Sequence, residues 1–354
     1  MNLKKNTIYK FIILSLNLTF LFSEGVWVKY GWELYNYVVD AQTSSLGNAV
    51  IAYNTNSIHS SLVNPSFVSL NKNYSITHQS RFSGMVNNDL FGIQLKSSSA
   101  PINLNFLYQG ISNIPDTRDM LLDWGQDGQF GTNDIGEGNG LIDEGERLNE
   151  ENLKFFNQHQ LGFHGAFISN IFGVPLGIGL KLLCHFLNDH YAIGMGLDFG
   201  YNKKINNSTV GFVVRDLPAS GLIWDSGTVE GTKPSISFGF HHPIKYFEKI
   251  STQINTMMNV DMSLSNTNID SQIRYKNFSI EDAYGLECIY QKNTMIRFGR
   301  NTNNDTTGGI GLRWENFGID YAFISALNNS ALGNHHLISL IVSSVWISSK
   351  LFAK

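Results

Sequence analysis

The sequence predicts an all-β fold, a transmembrane antiparallel β-barrel of about fourteen strands, and three observations carry that prediction. Charged residues make up only 15% of the 354, well below the quarter usual in soluble proteins. Mean hydropathy is nonetheless −0.10, and past the first 25 residues no apolar run approaches the roughly 20 that a spanning helix needs. The chain instead alternates apolar and small or polar residues with period two, the pattern of a strand with two unlike faces. The third observation is the spacing of the turns, taken up below.

The N-terminus reads as an export signal over residues 1–23. Lys4, Lys5 and Lys10 form a basic region, Phe11 to Phe22 an apolar core, and Ser23 a small residue near a cleavage point. The core is too short for a membrane anchor; the competing reading is a buried first helix. The chain is therefore expected in the outer membrane of a Gram-negative-type envelope. A net charge of −4 gives no reason to expect nucleic acid as a partner. Two cysteines, Cys184 and Cys288, are too few for a disulfide framework and are expected as unbridged, lipid-packed or buried thiols.

Residues 74–354 form the expected barrel, with strands at 74–82, 89–96, 102–109, 157–169, 176–186, 191–201, 208–216, 234–241, 253–264, 282–290, 294–300, 307–314, 317–324 and 335–343. Tyr191–Tyr201 is the clearest of them. Tyr191, Ile193, Met195, Leu197, Phe199 and Tyr201 share one face, against Ala192, Gly194, Gly196, Asp198 and Gly200 on the other. Glycine weakens a strand, so its repeated use on one face implies crowding there, as where a plug fills a lumen. Connections after even strands are short (97–101, 170–175, 291–293, Glu315-Asn316), and those after odd strands are mostly long (110–156, 217–233, 265–281, 301–306, 325–334). That alternation belongs to a membrane barrel with both ends on the periplasmic side and long loops outside. Two connections break the rule: 242–252 is too long for a tight turn, and 187–190 too short for an outer loop.

Two regions stand outside the strands. Residues 24–73 precede the barrel, and 110–156 form an acidic, glycine-rich insertion expected on the outer side. In the insertion Asp123, Asp127, Gly128 and Asp134 stand at positions one, five, six and twelve of a calcium loop, with Gly125 where a third ligand would be. Glu137, Asn139, Gly140, Asp143 and Glu146 fit a second partial match whose first ligand is missing. Calcium takes six to eight oxygens around a sharp glycine turn, so a calcium site and a plain solvated acidic loop both remain open. Lys181, Asp198, Arg215, Arg297, Arg313 and Asp320 are expected to face the lumen and to pair there. No Ser–His–Asp set, phosphate-binding loop or paired catalytic carboxylate appears, so no enzyme is expected.

The stretch 41–70 carries a family resemblance. Ser45, Leu46, Gly47, Asn48 and Ala49, followed by Asn64, Pro65 and Ser66, resemble the N-terminal signature of the PorV/PorQ proteins, a branch of the FadL-like outer-membrane family. Tyr284-Gly285-Leu286-Glu287, Ile296-Arg297-Phe298-Gly299 and Ile319-Asp320-Tyr321-Ala322-Phe323 continue it. The resemblance implies a fourteen-stranded barrel with residues 24–73 as a lumenal plug. It further implies a part in type IX secretion and surface attachment, with translocon subunits and the C-terminal domains of secreted cargo as partners beside outer-membrane lipid. The competing function is that of a FadL-like transporter of hydrophobic small molecules. Asn64-Pro65 also suits an ordinary turn before the first strand.

Overall fold

The computed structural model describes residues 26–27, 32–37, 39–68, 73–96, 101–264, 272–275, 278–325 and 334–351; the expected export signal lies outside them. Fourteen long strands run β1 (Asn73–Arg81), β2 (Val86–Lys96), β3 (Pro101–Asp116), β4 (Lys154–Ile171), β5 (Val174–Leu187), β6 (His190–Ile205), β7 (Ser208–Arg215), β8 (Ser235–Phe247), β9 (Thr252–Leu264), β10 (Phe278–Tyr290), β11 (Thr294–Arg300), β12 (Thr306–Arg313), β13 (Phe317–Ser325) and β14 (His335–Ser343). Each pairs antiparallel with its neighbour in sequence, and β14 pairs with β1, Ser343 opposite Asn73, so the sheet closes and has no free edge.

The alternation has the direction the sequence predicts. On β6 the even residues Ala192 to Gly200 are buried, while Tyr191, Ile193 and Met195 are exposed. Outward Phe, Ile, Leu and Tyr recur on the other strands, the pattern of a wall whose solvent is lipid. Cys184 and Cys288 are free and half-buried, on the outward-facing positions of β5 and β10.

Several strands outrun their expected bounds. Strand β3 reaches Asp116 and β4 starts at Lys154, because their pairing survives a bulge between Ile111 and Ile114. The expected long connection at 242–252 is instead strand: β8 runs to Phe247, its ladder with β9 continuing past a shift at Pro243–Lys245. Only 248–251 remain as a turn. The 188–189 link is short, a helix (Ser344–Leu351) follows β14, and the long connections gather at one rim.

Strand β7 is interrupted. It leaves its ladder after Arg215 and resumes as Ser220–Trp224, which pairs with β6 and folds back on Val229–Thr232. Between Val214, opposite Phe199, and Gly221, opposite Met195, seven residue steps of β7 face four of β6. The surplus chain turns Asp216 inward, 4% exposed, with φ +58°, a left-handed conformation that Asp tolerates better than most residues.

The described residues between 32 and 68 pack against the inward face of the wall. Val26–Trp27 adds in parallel to Glu230–Gly231 at the rim of long connections. Three short helices follow, α1 (Glu33–Tyr37), α2 (Ala41–Ser45) and α3 (Ser60–Val63), and the chain enters β1 at the opposite rim. Helix α2 starts cleanly because Asp40 caps it, accepting the Thr43 amide at 2.8 Å. Every residue of α2 is buried, although its sequence is mostly hydroxyl and amide.

Candidate functional site: the filled lumen

The lumen has an apolar part and a polar part. Toward the rim of long connections, Trp32 and Leu34 pack with Leu90, Leu107, Leu183, Ala192 and Leu222, and Tyr35, Leu62 and Trp224 border them. These wall leucines point inward, where a water-filled barrel carries polar side chains. The Trp32 indole presses against β6 with its six-membered ring: a Cβ added to Gly194 would sit 2.7 Å from its Cζ3, and one on Gly196 3.0 Å from its Cζ2.

A buried ion cluster adjoins the indole. Lys181 Nζ donates to Asp198 Oδ1 at 2.8 Å and to Asp216 Oδ1 at 2.5 Å. The same Asp216 oxygen accepts from Trp32 Nε1 at 2.9 Å and Ser220 Oγ at 2.6 Å. The ammonium also stands 6.0 Å from the Trp32 ring and 5.6 Å from the Tyr35 ring, within cation–π range. Tyr35 is tied to the wall by donation to the Phe163 carbonyl at 2.8 Å.

A second network holds α2 and the chain after it. Arg297, 0% exposed, donates to Glu287 at 2.8 Å and Asp320 at 2.7 Å. Arg313 donates to Asp320 at 2.7 Å and to Gln42 at 3.2 Å. Tyr53 donates to the other Glu287 oxygen. Two guanidinium groups thus meet two carboxylates, an arrangement that suits burial only because each charge is also hydrogen-bonded. Between the networks, His59 of the lumenal segment donates from Nδ1 to Asn105 at 2.8 Å, whose amide in turn donates to His164 at 3.3 Å. Near the rim of short turns a cavity of about 360 Å³ opens between Tyr53, Asn54, Phe67, Asn202, Lys204 and His241.

The signature residues meet the wall through its glycines. Ser45 and Leu46 crowd Gly309 and Gly285, and Gly47, at φ +64°, leaves no room for a Cβ against the Arg300 backbone. Only glycine satisfies both the left-handed backbone and the close approach at that point. Ala49 is 1% exposed. Asn64 donates to the Ile51 carbonyl at 2.8 Å and accepts the Ser66 amide at 3.0 Å, while Pro65 fills the space over Gly177 and Gly200. The Asn64-Pro65 turn thus packs against glycines on the inward faces of β5 and β6.

No family model and no curated protein matches this chain. Among solved structures, the toluene transporter TodX of Pseudomonas putida superposes with a TM-score of 0.51 at 11% identity, covering 90% of this chain and 98% of that one. The fold is that of an outer-membrane barrel. The monoaromatic hydrocarbon channel CymD (TM-score 0.48, 10% identity, 86% and 97% covered) and Omp33 of Acinetobacter baumannii (0.36, 8%, 77% and 99%) superpose less closely.

In this outer-membrane barrel the acidic insertion folds onto itself. Leu121–Leu122 pairs with Arg147–Leu148, and the carboxylates expected as metal ligands accept backbone amides. Asp123 takes those of Gly138 and Gly140, both at 2.7 Å. Asp127 takes Gln129 at 2.7 Å and Asp134 takes Asp127 at 2.8 Å. Glu137 takes Gly131 and Asn133, Asp143 takes the Asn139 side-chain amide at 2.6 Å, and Glu146 takes Gly125 at 3.0 Å and Asp143 at 2.9 Å. The Gly140 amide, and after it that of Gly138, holds the Asp123 carboxyl below its usual pKa of 3.8. Among the described residues no group of three or more His, Cys, Asp and Glu is arranged to hold a metal ion.

The lumenal charges named from sequence are brought together as expected, apart from Arg215, which bonds Ser237 at 2.6 Å and the Val63 carbonyl at 3.0 Å. Sequence reasoning missed Trp32, Tyr53 and Asp216, and named Glu287 within a motif of the resemblance but not as a lumenal charge. Glu287 was within reach, because it alternates with Gly285 on the inward face of β10. Trp32 lies in a stretch with no period, and Asp216 at a break no pattern announces.

Proposed function

We propose that this chain is an outer-membrane channel for apolar small molecules, closed at rest by residues 24–73 acting as a plug. The observation that carries the reading is the apolar cluster inside the lumen, where Leu90, Leu107, Leu183 and Leu222 face the plug instead of lipid. A conduit for ions or sugars has no use for inward leucines, whereas an apolar solute needs them to leave water. The shared fold with TodX, described as a toluene transporter, supports the same reading. A part in type IX secretion rests on the short signature motifs alone, and nothing in the comparisons adds to it.

For the insertion, calcium binding remains a proposal based on carboxylate and glycine spacing. Its support is that each carboxylate oxygen keeps lone pairs beyond the one a backbone amide uses, so a cation can join the cage without dismantling it.

The test of function is uptake in cells lacking the gene. Initial uptake of labelled phenol is expected to fall on deletion and to return with the wild-type chain, while glucose uptake is unchanged. Uptake unaffected by deletion, with secreted proteins accumulating in the periplasm, would overturn the channel in favour of export.

A further inference from the structure

Trp32 occupies something built like a binding site. Its floor is the glycine pair Gly194 and Gly196, where a Cβ would meet the indole at 2.7 and 3.0 Å. Its apolar sides are Leu183 and Leu222, 0% and 1% exposed. One end is polar, Asp216 accepting the indole N–H at 2.9 Å, and Lys181 stands 6.0 Å from the ring. A floor without side chains, apolar sides and a carboxylate acceptor at one end are what a small site needs to bind and orient a planar amphipathic molecule.

Three observations separate this slot from ordinary core. The residue filling it belongs to the segment ahead of the barrel, not to the wall. The wall residues forming it come from β5, β6 and the resumed part of β7, which hold their places by their own ladders. The acceptor is supplied by an interruption in β7 that turns Asp216 inward, and Asp216 is held from the wall by Lys181 and Ser220 as well as by the indole.

We propose that this slot is the channel's solute site and that Trp32 is its resident competitor. The ligand class is a planar aromatic of one or two rings bearing one hydrogen-bond donor, an indole or a phenol. Such a molecule replaces the ring on Gly194 and Gly196 and gives its N–H or O–H to Asp216, so that Trp32 and α1 are released and the plug loosens from this side. A hydrocarbon of the same shape fills the floor but leaves Asp216 without the donor it lost, and a site built around a polar contact discriminates strongly against a molecule that lacks it. The proposal rests on the channel reading and names the substrate class within it.

The experiment uses the purified full-length barrel in detergent, with each variant first checked for folding by heat-modifiable gel migration. Indole is the probe and naphthalene its donor-free counterpart, with binding measured by equilibrium dialysis. Saturating indole is expected to raise hydrogen exchange at residues 32–37 of the wild type. Trp32→Ala is expected to bind indole at least tenfold more tightly than wild type, and Gly196→Leu in that background to abolish the gain. Exchange at 32–37 unchanged by indole, or a gain for naphthalene equal to that for indole, overturns the proposal. Failure of the channel reading is distinguishable: displacement of Trp32 by indole with no loss of solute uptake on deletion removes the channel and leaves the site.

Discussion

Arg297 shows what a single buried charge does in this lumen. It is fully enclosed, and its guanidinium spans Glu287 on β10 and Asp320 on β13, each of which also contacts a further donor. Arg297→Ala leaves two buried carboxylates without the guanidinium between them, a loss of about 3–5 kcal/mol for a broken buried pair. The expected readout is a lower temperature for the heat-modifiable gel shift, with the barrel still inserted. Arg297→Lys is expected to recover only part of it, because an ammonium cannot hold both carboxylates in the fork geometry. An unchanged transition in the alanine variant would show that the network is solvated. The sequence placed Arg297 and Asp320 in the lumen through their period-two neighbours. It was silent on their partners, because pairing depends on which strands stand side by side.

The insertion between β3 and β4 is an element that makes its own cage. Asp123 joins its two halves by accepting Gly138 and Gly140, so Asp123→Ala is expected to open the loop to proteinase K in intact cells while the barrel stays resistant. The carboxyl is held below its usual pKa of 3.8, and a depressed carboxylate stabilises the fold above its unfolded value and ceases to do so as pH falls through the folded one. Protection is therefore expected to persist at about pH 5 and to fade only below about pH 4. Chelation with EDTA is the calcium arm of the same digestion. Faster cleavage that calcium reverses in the wild type, but not in Asp123→Ala/Asp127→Ala, is the expected result, and cleavage indifferent to EDTA would remove calcium. The acidic, glycine-rich composition announced this element. The backbone amides that occupy its carboxylates were not legible, since they come from the far half of the loop.

At the scale of the molecule, wall and lumenal segment are one structure held by side-chain bonds at several heights. Helix α2 is tied to β14, where Ser339 Oγ accepts the Ala41 amide at 2.8 Å. A channel that opens must break such ties, whereas a rigid scaffold need not. In a chain with Cys184 and Cys288 replaced, Ala41→Cys and Ser339→Cys bridged by a short bismaleimide are expected to abolish apolar solute uptake, with the unbridged pair active. Equal uptake in both forms would show that the lumenal segment stays in place.

What the sequence by itself determined is the wall: fourteen strands, the face each turns to lipid, and the alternation of turns. All of these follow from period two and local turn chemistry, which need no knowledge of distant residues. The glycine faces even announced that something lies against them. Only the tertiary structure decided what that is. Trp32 on Gly194 and Gly196, Gly47 under Arg300, and Asp216 turned inward by an interrupted strand all join positions more than a hundred residues apart. Such contacts have no period. They arise because closing the barrel brings every inward face onto one short segment, and the charges and rings of that segment then choose among them by geometry.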